Sequence, residues 1–318
     1  MSPSAVNNEP TNGLNDKIEQ ANPGTHSTPL LCHHHLPSPP APALPCPGPY
    51  ANHAPDPTDP SVVITPKITG DWTVSKVLDT IAAGAPQEGS SSPVPYFHML
   101  ERLKTTKREG WRRFGIASGE SIADHMYRMA MISMLCPPSL RARIDRDKCT
   151  RMCLVHDMAE SLVGDITPVD GVPKPEKSRR EAETMDYLTG NLLKGLWGGK
   201  GGDEAVGEEI RALWQEYEDS ETLDSHFVHD IDKVELLLQM VEYEKRGERA
   251  LDLGEFAYVA TRLALPETKE WAGDIIRERE AYWAGQDHVH GDAGLAGGVG
   301  KLHLDAVEEY YKGAGGAP

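Results

Sequence analysis

The chain has no run of about eighteen or more apolar residues, and without one no helix can cross a bilayer. It is short of positive charge: 32 Lys and Arg stand against 49 Asp and Glu, a formal net charge of −17. That balance argues against a protein whose main work is gripping a nucleic-acid polymer or an anionic membrane surface. Period-two alternation of apolar and polar residues is sustained nowhere, which argues against a sheet-based fold. Cysteine is scarce and odd in number, five in 318 residues, which does not make a disulfide framework. A reducing, intracellular setting is therefore expected, the cytoplasm foremost and the nucleus as the other choice. The N-terminus lacks a basic start followed by an apolar run, so no secretory signal is expected there.

Proline, by contrast, is plentiful and unevenly placed. Fifteen of the 25 prolines lie within residues 1–70, in runs such as LPSPPAPALPCPGP. Such a segment buries too little apolar surface to offset its ordering entropy, so 1–70 is expected to be a disordered proline-rich arm. Cys32 and His33–His35 within it read as part of that tail, because a metal site needs ligands held in place. From Asp71 the texture changes. Apolar residues recur every three to four positions around 72–81, 96–103, 121–136, 147–163, 179–196, 205–217, 224–246, 254–264 and 268–283. This predicts an all-α fold, a single helical bundle of about seven to nine helices over 71–285, with a glycine-rich, frayed tail over 286–318.

The chemistry concentrates in CLVHDMAESLVGDITPVDG, residues 153–171. His156 and Asp157 are adjacent, and on a helix Glu160 would lie one turn beyond both on the same side. Their neighbours Leu154, Val155, Met158, Leu162 and Val163 are apolar, so this polar group is set in a buried segment. Burying an imidazole and carboxylates without partners costs several kcal/mol, and a divalent cation removes that cost. Asp165, just past Gly164, adds a carboxylate at the mouth. His125 sits among Ile122, Met126, Met129 and Ile132, and Asp232 among Ile231, Val234, Leu237 and Leu238, so both are expected to point inward. Two histidines and two or more carboxylates form a mixed N/O donor set suited to Mn, Co or Mg, with Zn as an alternative. Cys149 and Cys153 read as buried thiols. Lys174, Lys177, Arg179 and Arg180 form a basic patch that either draws in an anionic ligand or, the slightly preferred reading, pairs with Glu176, Glu181 and Glu183, and EYEDSETLD (216–224) reads as a solvated helix junction.

The residue order GESIADHMYRM (119–129), HDMAESLVGDI (156–166) and IDKVELLLQMVEYE (231–244) resembles the HD-domain superfamily of metal-dependent phosphohydrolases, and within it the 5′-deoxynucleotidase branch. The resemblance runs over nearly all of 71–283 and leaves out the arm and the insertion at 197–207. It implies His125, His156, Asp157 and Asp232 as metal ligands, with Asp230 of the neighbouring His-Asp pair as the decoy. It ties Glu160, Asp165 and the Ile166 carbonyl to catalysis or a second metal, and matches Arg108 to a phosphate-binding arginine. Trp111 matches the adjacent tryptophan, either against the sugar or base of the substrate or in the core at a loop–helix junction. Phe114, Gly115 and Gly119 depart from the family pattern, which puts loop geometry in question more than activity. The implied activity is hydrolysis of deoxynucleoside 5′-monophosphates to deoxynucleoside and phosphate by a homodimer. Two other readings stand beside it: action on a cyclic, signalling or triphosphate nucleotide, and a non-catalytic helical module whose arm recruits partners.

Overall fold

A computed structural model describes residue 68 and residues 70–112, 114–116, 118–198, 203–247 and 251–286. Nearly all of the expected arm and tail lies outside the described residues. Eleven α-helices follow one another among those described: α1 (Val74–Leu78), α2 (Val94–Thr105), α3 (Glu109–Arg112), α4 (Ile122–Ser133), α5 (Pro138–Arg141), α6 (Arg146–Cys153), α7 (Glu160–Val163), α8 (Lys174–Asp186), α9 (Asp203–Asp219), α10 (Leu223–Arg246) and α11 (Pro266–Trp283). A π-helical turn, Tyr187–Asn191, extends α8, and 3-10 turns cover Leu196–Gly198 and Gly254–Arg262. Among the described residues the one β contact is an isolated antiparallel bridge between Lys107 and Ser121. The fold is all-α, as the apolar periodicity predicts.

The helix starts follow from local chemistry. Ser121 caps α4, accepting from the Asp124 N–H while the Asp124 carboxylate accepts from the Ser121 N–H. Thr222 and Ser225 make the same reciprocal cap on α10. Such pairs satisfy two of the backbone donors that a helix start leaves open. Helices α2, α5, α8 and α11 begin instead with proline in the first turn, where its missing N–H costs nothing.

Three apolar clusters form the core. The first joins α1, α2, the start of α4, residues 155–163, α8 and α9. The second joins Trp111, the C-terminal half of α10, the 254–262 turn and α11. The third joins the end of α4 with α5, α6 and the start of α10. Helix α4 passes from the first to the third between Met126 and Met129, and α10 from the third to the second between Ile231 and Val234. The chain passes from the third to the first between Cys153 and Val155. His125, His156 and Asp232 lie at or beside these three crossings.

Eleven α-helices stand among the described residues where the sequence reading expects about seven to nine, and the structure departs from that reading at three further places. The 147–163 run is not one helix: α6 ends at Cys153, residues 154–159 are turns, and α7 is a single turn. From Val155 to Gly164 every residue but the half-buried Asp157 is buried. The enclosed segment keeps its backbone paired without water through turn bonds, Met158 N–H to the Val155 carbonyl, Glu160 N–H to Asp157 and Leu162 N–H to Ala159. The 254–264 window is a 3-10 turn rather than an α-helix. Finally, 216–224 is not uniformly solvated, because Tyr217 and Asp224 are buried within it.

Candidate active site

His125 lies in the first turn of α4, at a depth set by the cap at Ser121. Its Nδ1 stands 2.6 Å from Glu235 Oε2 on α10, with both side chains fully buried. Nδ1–H donates to that carboxylate, which turns Nε2 toward the centre. His156 reaches the same place from the 154–159 turn: Nδ1 donates to the Cys153 carbonyl at 3.0 Å, again leaving Nε2 facing inward. Asp232 projects from α10 one turn before Glu235, with Oδ1 3.2 Å from His125 Nε2. Asp157 Oδ2 lies 3.2 Å from His156 Nε2 and 3.8 Å from His125 Nε2.

Neither imidazole Nε2 has an aligned hydrogen-bond partner among the described residues, although both are buried. Such orphaned atoms are costly unless something else occupies their lone pairs. His125, His156 and Asp157 each offer one donor atom within 4.8 Å of the others; Asp232 is outside that three-donor group and lies 3.2 Å from His125 Nε2. Donor atoms of one metal shell stand roughly 3–3.5 Å apart when each bond is near 2.1 Å, so these separations suit a shared cation. The electrostatics agree. Burial and Arg108 work against a proton on His125, yet Glu235 and Asp232 lift it to about 10. Burial resists ionisation of Asp157 and Asp232 too, but the imidazoles and Arg108 hold both carboxyls well below the usual range. The residues present fit a divalent metal ion.

Arg108 is delivered by the Lys107–Ser121 bridge: its N–H donates to the Glu120 carbonyl, while the Ile122 N–H donates to Thr106. This lays the 106–108 segment along the start of α4 and brings the guanidinium to Asp157, Nη1 to Oδ2 at 3.3 Å. Burial opposes its charge, but Asp165, Asp157, Asp232 and Glu160 more than restore it. Glu160 is buried with Oε2 unpartnered among the described residues, and burial followed by Asp157 and Asp165 raises its carboxyl well above the usual range. Gly164 takes a φ of 77° after α7, a conformation open to glycine and strained for other residues, and its N–H closes back on the Glu160 carbonyl. The reversal sets Asp165 against α3, where Oδ2 accepts from the Glu109 N–H at 2.6 Å.

Not every expected residue falls within the centre. Glu160 and Asp165 form no three-donor group with the four ligands among the described residues. Ile166 is partly buried against the first cluster. Trp111 is a correction to the substrate-facing alternative: it is 1% exposed, packed on Phe256 and Tyr243, and its indole N–H donates to Glu120 Oε1 at 2.8 Å. It braces Glu120, whose backbone carbonyl holds Arg108, and burial next to Glu235 raises the Glu120 carboxyl to about 7. Asp230, the decoy, accepts from the N–H groups of Ala264 and Leu265 and from the Thr268 hydroxyl, and so anchors the start of α11. Arg179 and Arg180 pair with Glu176, and Lys177 with Glu181. Glu235 and Tyr217 were not singled out from sequence. The signal for Glu235 was its place three residues after Asp232 on one helix; nothing in sequence pointed to Tyr217.

Two imidazoles and two carboxylates converging beside a partly buried arginine, inside an all-α bundle, define a helical divalent-metal site of the kind that phosphohydrolases use. The pattern of the HD domain family matches residues 100–269, and the chain belongs to that family. It is 44% identical over 196 residues to 5'-deoxynucleotidase hdd1 of Schizosaccharomyces pombe, covering 61% of this chain and 94% of that protein. It is 41% identical over 189 residues to 5'-deoxynucleotidase YBR242W of Saccharomyces cerevisiae, covering 59% of this chain and 76% of that one. Among solved structures, HD domain-containing protein YGK1(YGL101W) aligns at 32% identity with a TM-score of 0.45, over 60% of this chain and 86% of that chain.

Proposed function

We infer that the protein is a metal-dependent phosphomonoesterase that hydrolyses deoxynucleoside 5′-monophosphates to deoxynucleoside and phosphate. The observation that carries this reading is the convergence of His125, His156, Asp157 and Asp232 beside Arg108, in a chain so similar to proteins named 5'-deoxynucleotidases. His125, His156, Asp157 and Asp232 hold the cation, with Mn, Co or Mg the preferred ions and Zn the alternative. When bound, a divalent ion supplies charge to the phosphoryl oxygens and makes water a stronger acid.

The protein's own groups do the rest. Arg108 presents a planar fork to two phosphate oxygens, which fixes the ester in line for attack. Its hydrogen bond to Asp157 ties that fork to the ligand set. Glu160, kept protonated by burial and by Asp157 and Asp165, carries a proton for the departing 5′-oxygen. Asp165 holds the Glu109 backbone and so the segment that bears Arg108; Asp165 and the Ile166 carbonyl remain candidates for a second cation, as the resemblance implies. Trp111 acts on substrate only through Glu120 and Arg108.

Phosphate release from deoxynucleoside 5′-monophosphates, with Mn, Co or Mg added in turn to chelator-treated protein, tests the reading. Release that depends on metal, stops in His156→Ala and yields single phosphate is the expected result. Folded wild-type protein that releases nothing under any metal overturns it, and release of triphosphate from a triphosphate substrate redirects it to another nucleotide. The reading places the enzyme inside the cell as a homodimer; the free buried thiols of Cys136, Cys149 and Cys153 support the first part. Sedimentation of the purified chain tests the second.

A further inference from the structure

Tyr217 is buried near the end of α9, with its ring between two histidines. On one side lies the ligand His156, ring centroids 4.9 Å apart at 59°. On the other lies His229, stacked at 4.0 Å and 30°. The Tyr217 hydroxyl lies 3.4 Å from Asp232 Oδ2, the oxygen opposite the one that faces His125. His229 Nε2–H donates to the Tyr217 backbone carbonyl at 2.9 Å, so it holds both the backbone and the ring of this tyrosine. Burial, and after it Lys233, lowers His229 to about 4, which leaves a neutral ring to stack at neutral pH.

These contacts join ligands from two separate elements. His156 is pinned at Nδ1 by its own turn, but that bond leaves the ring plane to be fixed by whatever packs on its face. The Asp232 carboxylate can rotate about its last side-chain bond, and a donor on Oδ2 fixes the plane in which the other oxygen meets the centre. We propose that Tyr217, backed by His229, is a positioning residue that fixes the His156 ring and the Asp232 carboxylate in their metal-binding orientation. The proposal rests on the metal-dependent reading given above.

The test uses the full-length chain, stripped with chelator and titrated with Mn, for wild type, Tyr217→Phe and Tyr217→Leu. Far-UV circular dichroism of the stripped protein is recorded alongside. The phenylalanine variant keeps the stack and loses the hydroxyl, so its Mn dissociation constant should rise roughly fivefold. The leucine variant loses both and should rise about 10- to 100-fold, with helicity retained. Saturating Mn should return the kcat of Tyr217→Phe to near wild type, a rescue that general loss of packing would not give. Wild-type Mn affinity in either folded variant overturns the proposal; if the leucine variant does not fold, the phenylalanine variant decides alone. Lack of Mn binding by wild type itself is a different failure, one that removes the metal reading and this proposal together.

Discussion

Glu235 gives one carboxylate oxygen to His125 and the other to Arg128, and no part of its side chain meets solvent. A buried carboxylate in that place sets the tautomer of the imidazole and raises its basicity toward a cation. Glu235→Gln is isosteric but neutral, and should weaken Mn binding about tenfold with little change in helicity, as read by titration of the chelator-stripped protein. Arg108 makes the complementary prediction. Lysine keeps the charge and loses the fork, so Arg108→Lys should raise KM for a deoxynucleoside 5′-monophosphate about tenfold, with a smaller loss of Mn affinity from its one hydrogen bond to Asp157. The first change strikes the cation and the second chiefly the substrate. Steady-state kinetics at saturating metal separates them.

Helix α10 carries two aspartates two residues apart, and they do different work. Asp232 faces the centre, while Asp230 anchors the start of α11 through three donors. Asp230→Ala strips those buried donors and should cost about 3 kcal/mol in urea unfolding, with the folded fraction still binding Mn normally. Asp232→Ala should do the reverse, losing Mn binding at little cost in the stability of the chelator-stripped protein. Helix periodicity separates the two in principle, since residues two apart diverge around a helix, and the sequence reading chose Asp232 by motif register. What no pattern could supply was the partner of Asp230, thirty-odd residues on. The other end of α10 is tied in a similar way: the buried Glu244 accepts from Arg279, Trp283 and the Leu253 N–H, which fastens α11 along its length. The break at 154–159 was also invisible in sequence. Apolar spacing alone cannot distinguish a helix with one buried face from a segment buried on every side.

At the scale of the molecule, the centre stands where α4, α10 and the 153–155 turn cross between three apolar clusters. A cation bound there would fasten all three clusters at one point and link stability to metal concentration. Mn at about one hundred times its dissociation constant should stabilise the protein by about 2.7 kcal/mol, and chelator should remove that gain. Differential scanning calorimetry with and without chelator checks it, and an unmoved melting temperature would contradict the placement of the ion.

The sequence by itself determined the all-α architecture, because apolar residues at helical spacing must face a common core. It also pointed to a mixed imidazole and carboxylate donor set, because His and Asp in apolar surroundings need partners or a compensating charge. The family resemblance pointed to Arg108. Only the tertiary structure decided that Trp111 is packed in the core against Phe256 and Tyr243, that Glu235 steers His125, and that Tyr217 spans His156 and Asp232. Each of those facts is a contact between residues far apart in the sequence, and the direction a side chain takes across such a gap is fixed by packing, which local pattern does not encode.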